Sequence, residues 1–289
     1  MSTTLRPSKA PNLPITPIDY SQQYQDQLNN ALRLYFAQVD NFSYGLAQNN
    51  GGAYLSLPYA GFHYDSQRVL GSTMTNSSTT AITVDSTTGY TAPGYILIGT
   101  EIIGYTSIPN STTFDGTITR GAFSTNTSAH AIGAAVTSIQ GTTANTRTPV
   151  LFNTIDYSNG VTIIPSPPSS AMTTSYAGIY NVQFSFQYSN ATTSVDNVTI
   201  WFTVNGVDLP ATAGISAVAS SHSGISGQTI VGWNGLVPLN FGDRFEIYWA
   251  TDSGNTVLTT YPAGTGAVHP TSPCAIITFT FVSAIPVVV

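Results

Sequence analysis

The chain has 289 residues, a net charge of −6, and only 7% charged residues. This length suggests about two domains, and the 42% hydrophobic share is enough to form a core. The seven basic residues are scattered, so we expect no basic patch that binds nucleic acid. No apolar run approaches the roughly 20 residues of a membrane span. A single cysteine, Cys274, excludes an internal disulfide framework.

The first 18 residues carry prolines at every third or fourth position, namely Pro7, Pro11, Pro14 and Pro17. This spacing prevents a helix and favours polyproline II, so residues 1–18 are predicted to be an extended arm. A disordered terminus is the alternative interpretation. The arm has no apolar leader segment, so we expect synthesis in the cytoplasm without a secretory signal.

Residues 19–45 are predicted to form a single helix, with Asp19 as its N-cap and Gln22 as the capping-box partner. Its apolar residues are spaced alternately by four and three, which is a short heptad stripe of Leu28, Leu32, Tyr35, Val39 and Phe42. The stripe covers about two heptads, fewer than the three to four that indicate a coiled coil. Two interpretations stay open: a helix packed on its own domain, or a helix that mediates anchoring and oligomerisation.

The next segments predict a connector over residues 46–69, a small β module over 70–140 and a polar linker over 141–149. In the module, Gly99-Thr100 separates two apolar stretches and suits a type II′ hairpin turn. Glu101 and Arg120 are the only strong opposite charges near these strands, and they either form an ion pair or remain separately solvated.

Residues 150–289 are predicted to be the largest domain, a β-sandwich. Apolar residues alternate with polar ones from Tyr180 to Tyr188 and again from Val198 to Val204. Asn205-Gly206 then predicts a type I′ hairpin turn. Many strands with frequent turns indicate a sandwich, so the fold class is mainly β with one N-terminal helix.

The chemistry-bearing residues do not form a recognisable catalytic or metal-binding motif. The four histidines, His63, His130, His222 and His269, are far apart, and no zinc-binding spacing occurs. A G-x-S-x-G motif is absent, and the loop at 223–227 only approaches it. Asp243 and Glu246 are the nearest pair of acids, and we interpret both as solvated turn and strand residues. We therefore assign no catalytic, metal-binding or cofactor-binding residue, and we expect no cofactor.

Trp201 is the residue that stands out as a candidate contact. It alternates with Ile200 and Phe202, so it is predicted to point away from the core, whereas Trp249 shares a face with core residues. An exposed indole is a large apolar platform with a polar tip. We therefore consider Trp201 a candidate for contact with a ligand or with a neighbouring subunit.

Three parts of the sequence resemble known families. The N-terminal segment Pro11–Phe42 resembles that of structural proteins from marine tailed phages, especially cyanophages. A small β module of phage appendage proteins is similar at Gly99–Tyr105, Thr119–Gly121 and Ala129–Ala131. The C-terminal part resembles the C1q/TNF-like jelly roll at Ala177–Phe186, Trp201–Gly206, Leu236–Trp249 and Cys274–Phe281.

These resemblances imply a virion structural protein that is assembled in the host cytoplasm and located in the virion. They imply a homotrimer, a short appendage such as a fibre or a head decoration, anchored by its N-terminus to other capsid or tail proteins. One alternative is a receptor- or carbohydrate-binding tip of the tail, with a host surface glycan as its partner. A depolymerase enzyme is a third and less favoured alternative.

Overall fold

The computed structural model describes residues 12–13, 19, 21–47, 57–165, 167–263 and 268–285. The chain divides into two compact units, residues 1–57 and residues 58–289. The first unit contains α1 (Gln22–Ala47), the one α-helix among the described residues. The second unit contains all the described strands, so the prediction of a mainly β protein with one N-terminal helix is confirmed.

The strands follow one another closely along the second unit. In chain order they are β1 (Tyr59–Tyr64), β2 (Gln67–Val69), β3 (Ile82–Thr83), β4 (Gly94–Ile98), β5 (Glu101–Tyr105), β6 (Ser107–Asn110), β7 (Thr113–Asp115), β8 (Ala135–Gln140), β9 (Thr148–Pro149), β10 (Thr154–Asn159), β11 (Val161–Ile164), β12 (Ala171–Thr174), β13 (Gly178–Asn190), β14 (Asp196–Val204), β15 (Val207–Asp208), β16 (Gly214–Val218), β17 (Gly227–Val231), β18 (Asn234–Leu239), β19 (Arg244–Thr251), β20 (Thr256–Thr259) and β21 (Ala275–Ser283). A 3₁₀ turn lies at Ala122–Ser124.

Two sheets form the sandwich. The large sheet has the order β10-β1-β21-β13-β20-β8-β4-β5, with β17 and β18 also paired to β13 and with β2 paired to β8. The second sheet has the order β11-β12-β19-β14-β15, with β16 also paired to β14 and β9 also paired to β19. Strands β3, β7 and β6 form a small third sheet. Every strand pairing within these sheets is antiparallel, which suits strands that alternate buried and exposed residues.

The main core lies between the two large sheets. The alternation predicted for β13 is real, because Tyr180, Val182 and Phe184 all point inward and are buried. From the opposite sheet, Phe202 and Phe245 meet them, and the ring of Phe202 lies edge-on to that of Phe184 at 5.8 Å. Aromatic pairs of this kind add to the apolar burial that drives folding.

Both predicted hairpin turns are confirmed. The register pairs Ile98 with Glu101, which leaves Gly99-Thr100 as a two-residue turn, and Gly99 has a φ of 62°. At the second turn both central residues, Asn205 and Gly206, have positive φ values of 53° and 79°, as a type I′ turn requires.

The segment predicted as a connector, 46–69, contains two strands instead. Strand β1 lies between β10, the edge strand of the large sheet, and β21. It has the alternation of a half-buried strand, because Ala60, Phe62 and Tyr64 point inward. Gly61 and His63 on its outer side interrupt the composition typical of a strand, which explains why the sequence pattern is weak.

The predicted 70–140 module and 150–289 sandwich are joined by shared backbone pairing. Strand β8 pairs with β20 of the C-terminal region, through Leu258–Gln140 and Thr259–Ile139. The module therefore continues the large sheet, although it keeps a core cluster of its own around Ile96, Ile103 and Phe114. Chain order alone gives no signal for a pairing between strands so far apart in sequence.

The helix begins and ends slightly later than the predicted 19–45. Ser21 precedes the first helical residue, Gln22, and its Oγ accepts a hydrogen bond from the backbone N–H of Tyr24 at 3.3 Å. Ser21 rather than Asp19 is thus the N-cap, since a cap must lie directly before the first turn. The predicted arm, 1–18, lies outside the described residues except for positions 12 and 13.

Candidate functional site

Trp201 lies on the face of the second sheet that points away from the core. Its strand neighbours Ile200 and Phe202 are buried, whereas Trp201 is partly exposed, as the alternation predicts. The register places Trp201 directly beside Tyr248 of β19. Their ring centroids are 6.1 Å apart and their planes differ by 23°, so the two rings are stacked and nearly parallel.

An ion pair between Arg147 and Asp208 contacts both aromatic rings. The guanidinium carbon of Arg147 lies 4.0 Å from the ring centroid of Tyr248 and 6.0 Å from that of Trp201, within the range of a cation–π interaction. Asp208 Oδ1 accepts a hydrogen bond from Trp201 Nε1 at 2.8 Å and forms an ion pair with Arg147 Nη1 at 3.0 Å. We call these four residues the Trp201 cluster.

The Trp201 cluster has the properties of a preorganised contact surface. The side chains of Arg147 and Asp208 are 39% and 54% exposed, so a partner can reach them. Their charges compensate each other, and the indole N–H already has an acceptor. What remains is the partly exposed indole of Trp201 beside the Tyr248 ring, which already carries the Arg147 guanidinium. Such an indole suits either a sugar ring or an apolar side chain of another subunit.

The sequence predicted Trp201 but not its three partners. A signal for Tyr248 was present, because Phe245, Ile247 and Trp249 define the inward face of β19 and place Tyr248 on the outward face. Arg147 lies in the segment predicted as a linker, 141–149, and reaches the cluster because β9 pairs with β19. That pairing has no sequence signal.

The apolar stripe of α1 is the second candidate site. Four of its five predicted residues, Leu28, Leu32, Tyr35 and Val39, are only partly buried. Phe42 lies in the helix, but its side chain is outside the part of the chain that the structure describes. Two further apolar side chains, Leu34 and Phe36, are 55% and 58% exposed. The stripe is therefore still accessible to a partner.

A buried charge cluster lies inside the module. Glu101 is fully buried and accepts five hydrogen bonds, from Arg120 Nε (2.6 Å) and Nη2 (2.8 Å), the N–H groups of Gly121 (3.1 Å) and Ser128 (3.0 Å), and His130 Nε2 (2.7 Å). Burial by itself raises the pKa of the Glu101 carboxyl, but the hydrogen bonds from Arg120, Ser128 and His130 outweigh it and lower the pKa to about 2. The ion pair left open by the sequence is formed.

Glu246 corrects the interpretation of the acid pair. It is buried, not solvated: Ser170 Oγ donates to it at 2.5 Å, and Arg244 binds it through Nε at 3.1 Å and Nη2 at 3.0 Å. Asp243 is a half-buried turn residue whose carboxylate accepts hydrogen bonds from Asn205 and Asn240. The two acids thus have separate structural partners.

Two histidines are also less isolated than the sequence suggested. His130 contacts Glu101, and His63 bridges Asp65 and Asp156. Across the described ranges of the chain, no group of three or more His, Cys, Asp or Glu side chains has the geometry to hold a metal ion. In the same described ranges, no helix is long and apolar enough to cross a membrane.

Comparison with known proteins adds no identification to these observations. No protein-family model matches the chain. No curated protein matches it either.

Proposed function

We propose that this chain is a structural protein of a phage virion, a short trimeric appendage held by its N-terminal region. The observation that carries the proposal is the accessible apolar stripe of α1, in a unit separate from the sandwich. An apolar stripe gains most by packing against another helix or another protein. The resemblances of the N-terminal segment and of the C-terminal sandwich supply the virion as the setting.

Support for self-association also comes from the large sheet. Three apolar side chains on its outer side are strongly exposed: Tyr157 at 72%, Ile230 at 69% and Leu236 at 65%. With so few charged residues on the chain, such faces favour association with a further copy. Light scattering of the full chain is expected to give three times the 30.5 kDa chain mass. A monodisperse monomer at micromolar concentration would contradict the trimer.

Two changes test whether the N-terminal region anchors the protein: removal of that region, and insertion of charges into the apolar stripe of α1. A chain that begins at Leu57 is expected to remain folded and β-rich but to be absent from particles. Leu32→Asp combined with Val39→Asp places two charges in the stripe and is expected to have the same effect.

The matched control adds two charges on the opposite side of the helix. Asn30→Asp with Ala37→Asp keeps the spacing of seven residues on exposed positions. This control is expected to join particles normally. Normal incorporation of the stripe variant, or of the shortened chain, would show that the anchor lies elsewhere.

A receptor- or carbohydrate-binding tip is the second candidate function, favoured by the Trp201 cluster. A glycan array with the full chain tests it. Binding is expected to be lost in Trp201→Ala and retained in Tyr157→Ala, which removes an exposed aromatic residue from the other sheet. Equal binding by the wild-type protein and Trp201→Ala would remove the cluster from consideration.

A further inference from the structure

A cavity of about 160 Å³ lies between two parts of the second unit that are distant in sequence. One wall comes from the β4–β5 hairpin and the 3₁₀ turn, through Leu97, Ile102 and Phe123. The other comes from the C-terminal region, through residues such as Gln228 and Val257. A cavity of about 150 Å³ is known to admit one benzene ring. A single six-membered ring therefore fits here.

The lining combines an apolar wall with uncharged polar groups. Gln228, Asn255, Thr259 and Tyr261 bring amides and hydroxyls to the cavity, and among the described residues no carboxylate, ammonium or guanidinium lines it. A charged ligand would lose its hydration without gaining a counter-charge. A wholly apolar ligand would cover amides and hydroxyls without giving them partners. The lining therefore suits a ring that is neutral and hydroxylated.

The polar groups are held in position by the fold. Ser189 Oγ and Thr259 Oγ1 are 2.6 Å apart, and Thr125 Oγ1 accepts the backbone N–H of Ile102 at 3.0 Å. Burial raises the pKa of the Tyr261 hydroxyl. It thus stays protonated at neutral pH. A site with fixed donors loses less entropy when it binds a ligand.

Backbone strain is concentrated at the same wall. Phe123 and Ser124 are consecutive non-glycine residues with φ values of 54° and 63°. The left-handed region is unfavourable for such residues, because the Cβ atom lies too close to the following carbonyl oxygen. The strained turn sets the Phe123 ring edge-on against Tyr95 at 4.7 Å and directly over Gly141, where an added Cβ would lie 2.2 Å from Phe123 Cζ. Strain of this kind is commonly retained at ligand sites.

A hairpin loop borders the cavity from the side of β17. Gly224, Ile225 and Ser226 line it, and His222 and Ile225 exchange two backbone hydrogen bonds of 2.9 and 3.0 Å across the turn. This is the Gly/Ser-rich stretch that only approached a nucleophile motif in the sequence. Here it forms a tight two-residue turn at the cavity, with Ile225 71% exposed beside the opening.

We propose that this cavity binds one pyranose ring of a neutral glycan. The C–H face of the ring packs on Phe123, Leu97 and Ile102, and the sugar hydroxyls bond to Gln228 and Tyr261. The site is separate from the Trp201 cluster, and it requires neither trimer assembly nor virion anchoring. Its neutrality selects against uronic and sialic acids.

Saturation-transfer NMR on the full chain tests the proposal. The probes are the methyl glycosides of glucose, galactose, mannose and N-acetylglucosamine, with glucuronic acid as the charged comparison and benzene as the apolar one. Transfer is expected to at least one neutral glycoside and to neither comparison compound. Gln228→Ala is expected to weaken binding by about tenfold, the effect of one lost hydrogen bond.

A second variant and a control locate the binding. Ala191→Leu extends a side chain from the cavity lining and is expected to abolish the signal. Gln183→Ala removes an exposed glutamine of β13 outside the cavity and is expected to leave the signal unchanged. Thermal unfolding checks that each variant is folded. The proposal is overturned if no neutral glycoside binds, if benzene or glucuronic acid binds as well as the glycosides, or if Gln228→Ala binds as tightly as the wild type.

Discussion

Arg120 and Glu101 face each other through two parallel hydrogen bonds, of 2.6 Å from Nε and 2.8 Å from Nη2. Both side chains are almost entirely buried. The remaining donors of Arg120 bind the carbonyl oxygens of Thr75, Ser78 and Ser128. The guanidinium thus joins three loops of the module to one carboxylate. Each partner of this pair needs the other, because a buried charge without compensation is strongly unfavourable.

Glu101→Gln is therefore expected to destabilise the second unit by about 3–5 kcal/mol, because it leaves the buried guanidinium without its counter-charge. Urea unfolding followed by fluorescence measures the difference. Asp115→Asn, which removes an acid from the same module that makes no side-chain hydrogen bond described here, is the control. It is expected to stay within about 0.5 kcal/mol of wild type.

The same pair predicts an acid dependence. The pKa of Glu101 falls to about 2 in the folded protein, whereas the pKa of a glutamate in the unfolded chain is about 4.3. The stabilisation is present above the unfolded pKa and is lost as the pH falls toward the folded pKa. The gap in melting temperature between wild type and Glu101→Gln should narrow over that interval. A constant gap would contradict the assignment.

His63 predicts a change at alkaline pH. Its Nε2 lies 3.3 Å from Asp65 and its Nδ1 lies 2.9 Å from Asp156, so the cation donates to two carboxylates. The hydrogen bond to Asp65 is the largest influence and, with the contribution of Asp156, raises the pKa of His63 to about 9 against the effect of burial. The stabilisation is complete below the ordinary histidine pKa and is lost as the pH rises through about 9.

Stability measured against pH in wild type and His63→Asn checks this expectation. The advantage of wild type should decline between the ordinary histidine pKa and about 9. The ring proton shifts of His63 in NMR give an independent titration. A midpoint near the value of an exposed histidine would show that the two contacts are weak in solution.

Cys274 is expected to be inert in the folded protein. Its thiol is fully buried, and burial raises its pKa to about 12, so almost no thiolate is present at neutral pH. A disulfide reagent such as Ellman's should react with it only after unfolding in guanidinium chloride. Rapid labelling of the native protein would show that β21 opens locally at its start.

The sequence predicted the strands whose alternation is long and strongly apolar. Strand β13 alternates over Tyr180–Tyr188, so it was predictable. The turns at Gly99-Thr100 and Asn205-Gly206 were predictable as well, because their residues favour a particular turn type. The Trp201 prediction follows from the same alternation. Each of these features depends on residues close together in sequence.

Features that depend on distant pairing were not predictable. Glu246 was interpreted as solvated because its own strand places it outward, yet Ser170, from a different part of the chain, covers it. The cavity likewise requires β8 to pair with β20, which brings Phe123 and Gln228 to opposite walls. Local periodicity carries no information about such contacts, which are fixed only when the whole sheet forms.

Strand β1 gives the clearest test of this distinction, because the sequence predicted a connector there. Phe62 is fully buried and its ring meets that of Phe279 edge-on at 6.3 Å, whereas the outward Tyr59 is 49% exposed. Phe62→Ala is expected to cost about 3–5 kcal/mol of stability through the cavity it leaves. Tyr59→Ala, the matched aromatic change on the outer side, should cost less than about 1 kcal/mol.

Shortening the chain gives a second readout of the role of β1. A chain that begins at residue 70 lacks β1 and leaves both β10 and β21 without their shared partner in the large sheet. Unpaired strand edges promote aggregation, so this chain is expected to be insoluble, whereas one that begins at Leu57 stays soluble. If the chain from residue 70 unfolds cooperatively with wild-type stability, then β1 is dispensable and residues 58–69 act as a connector after all.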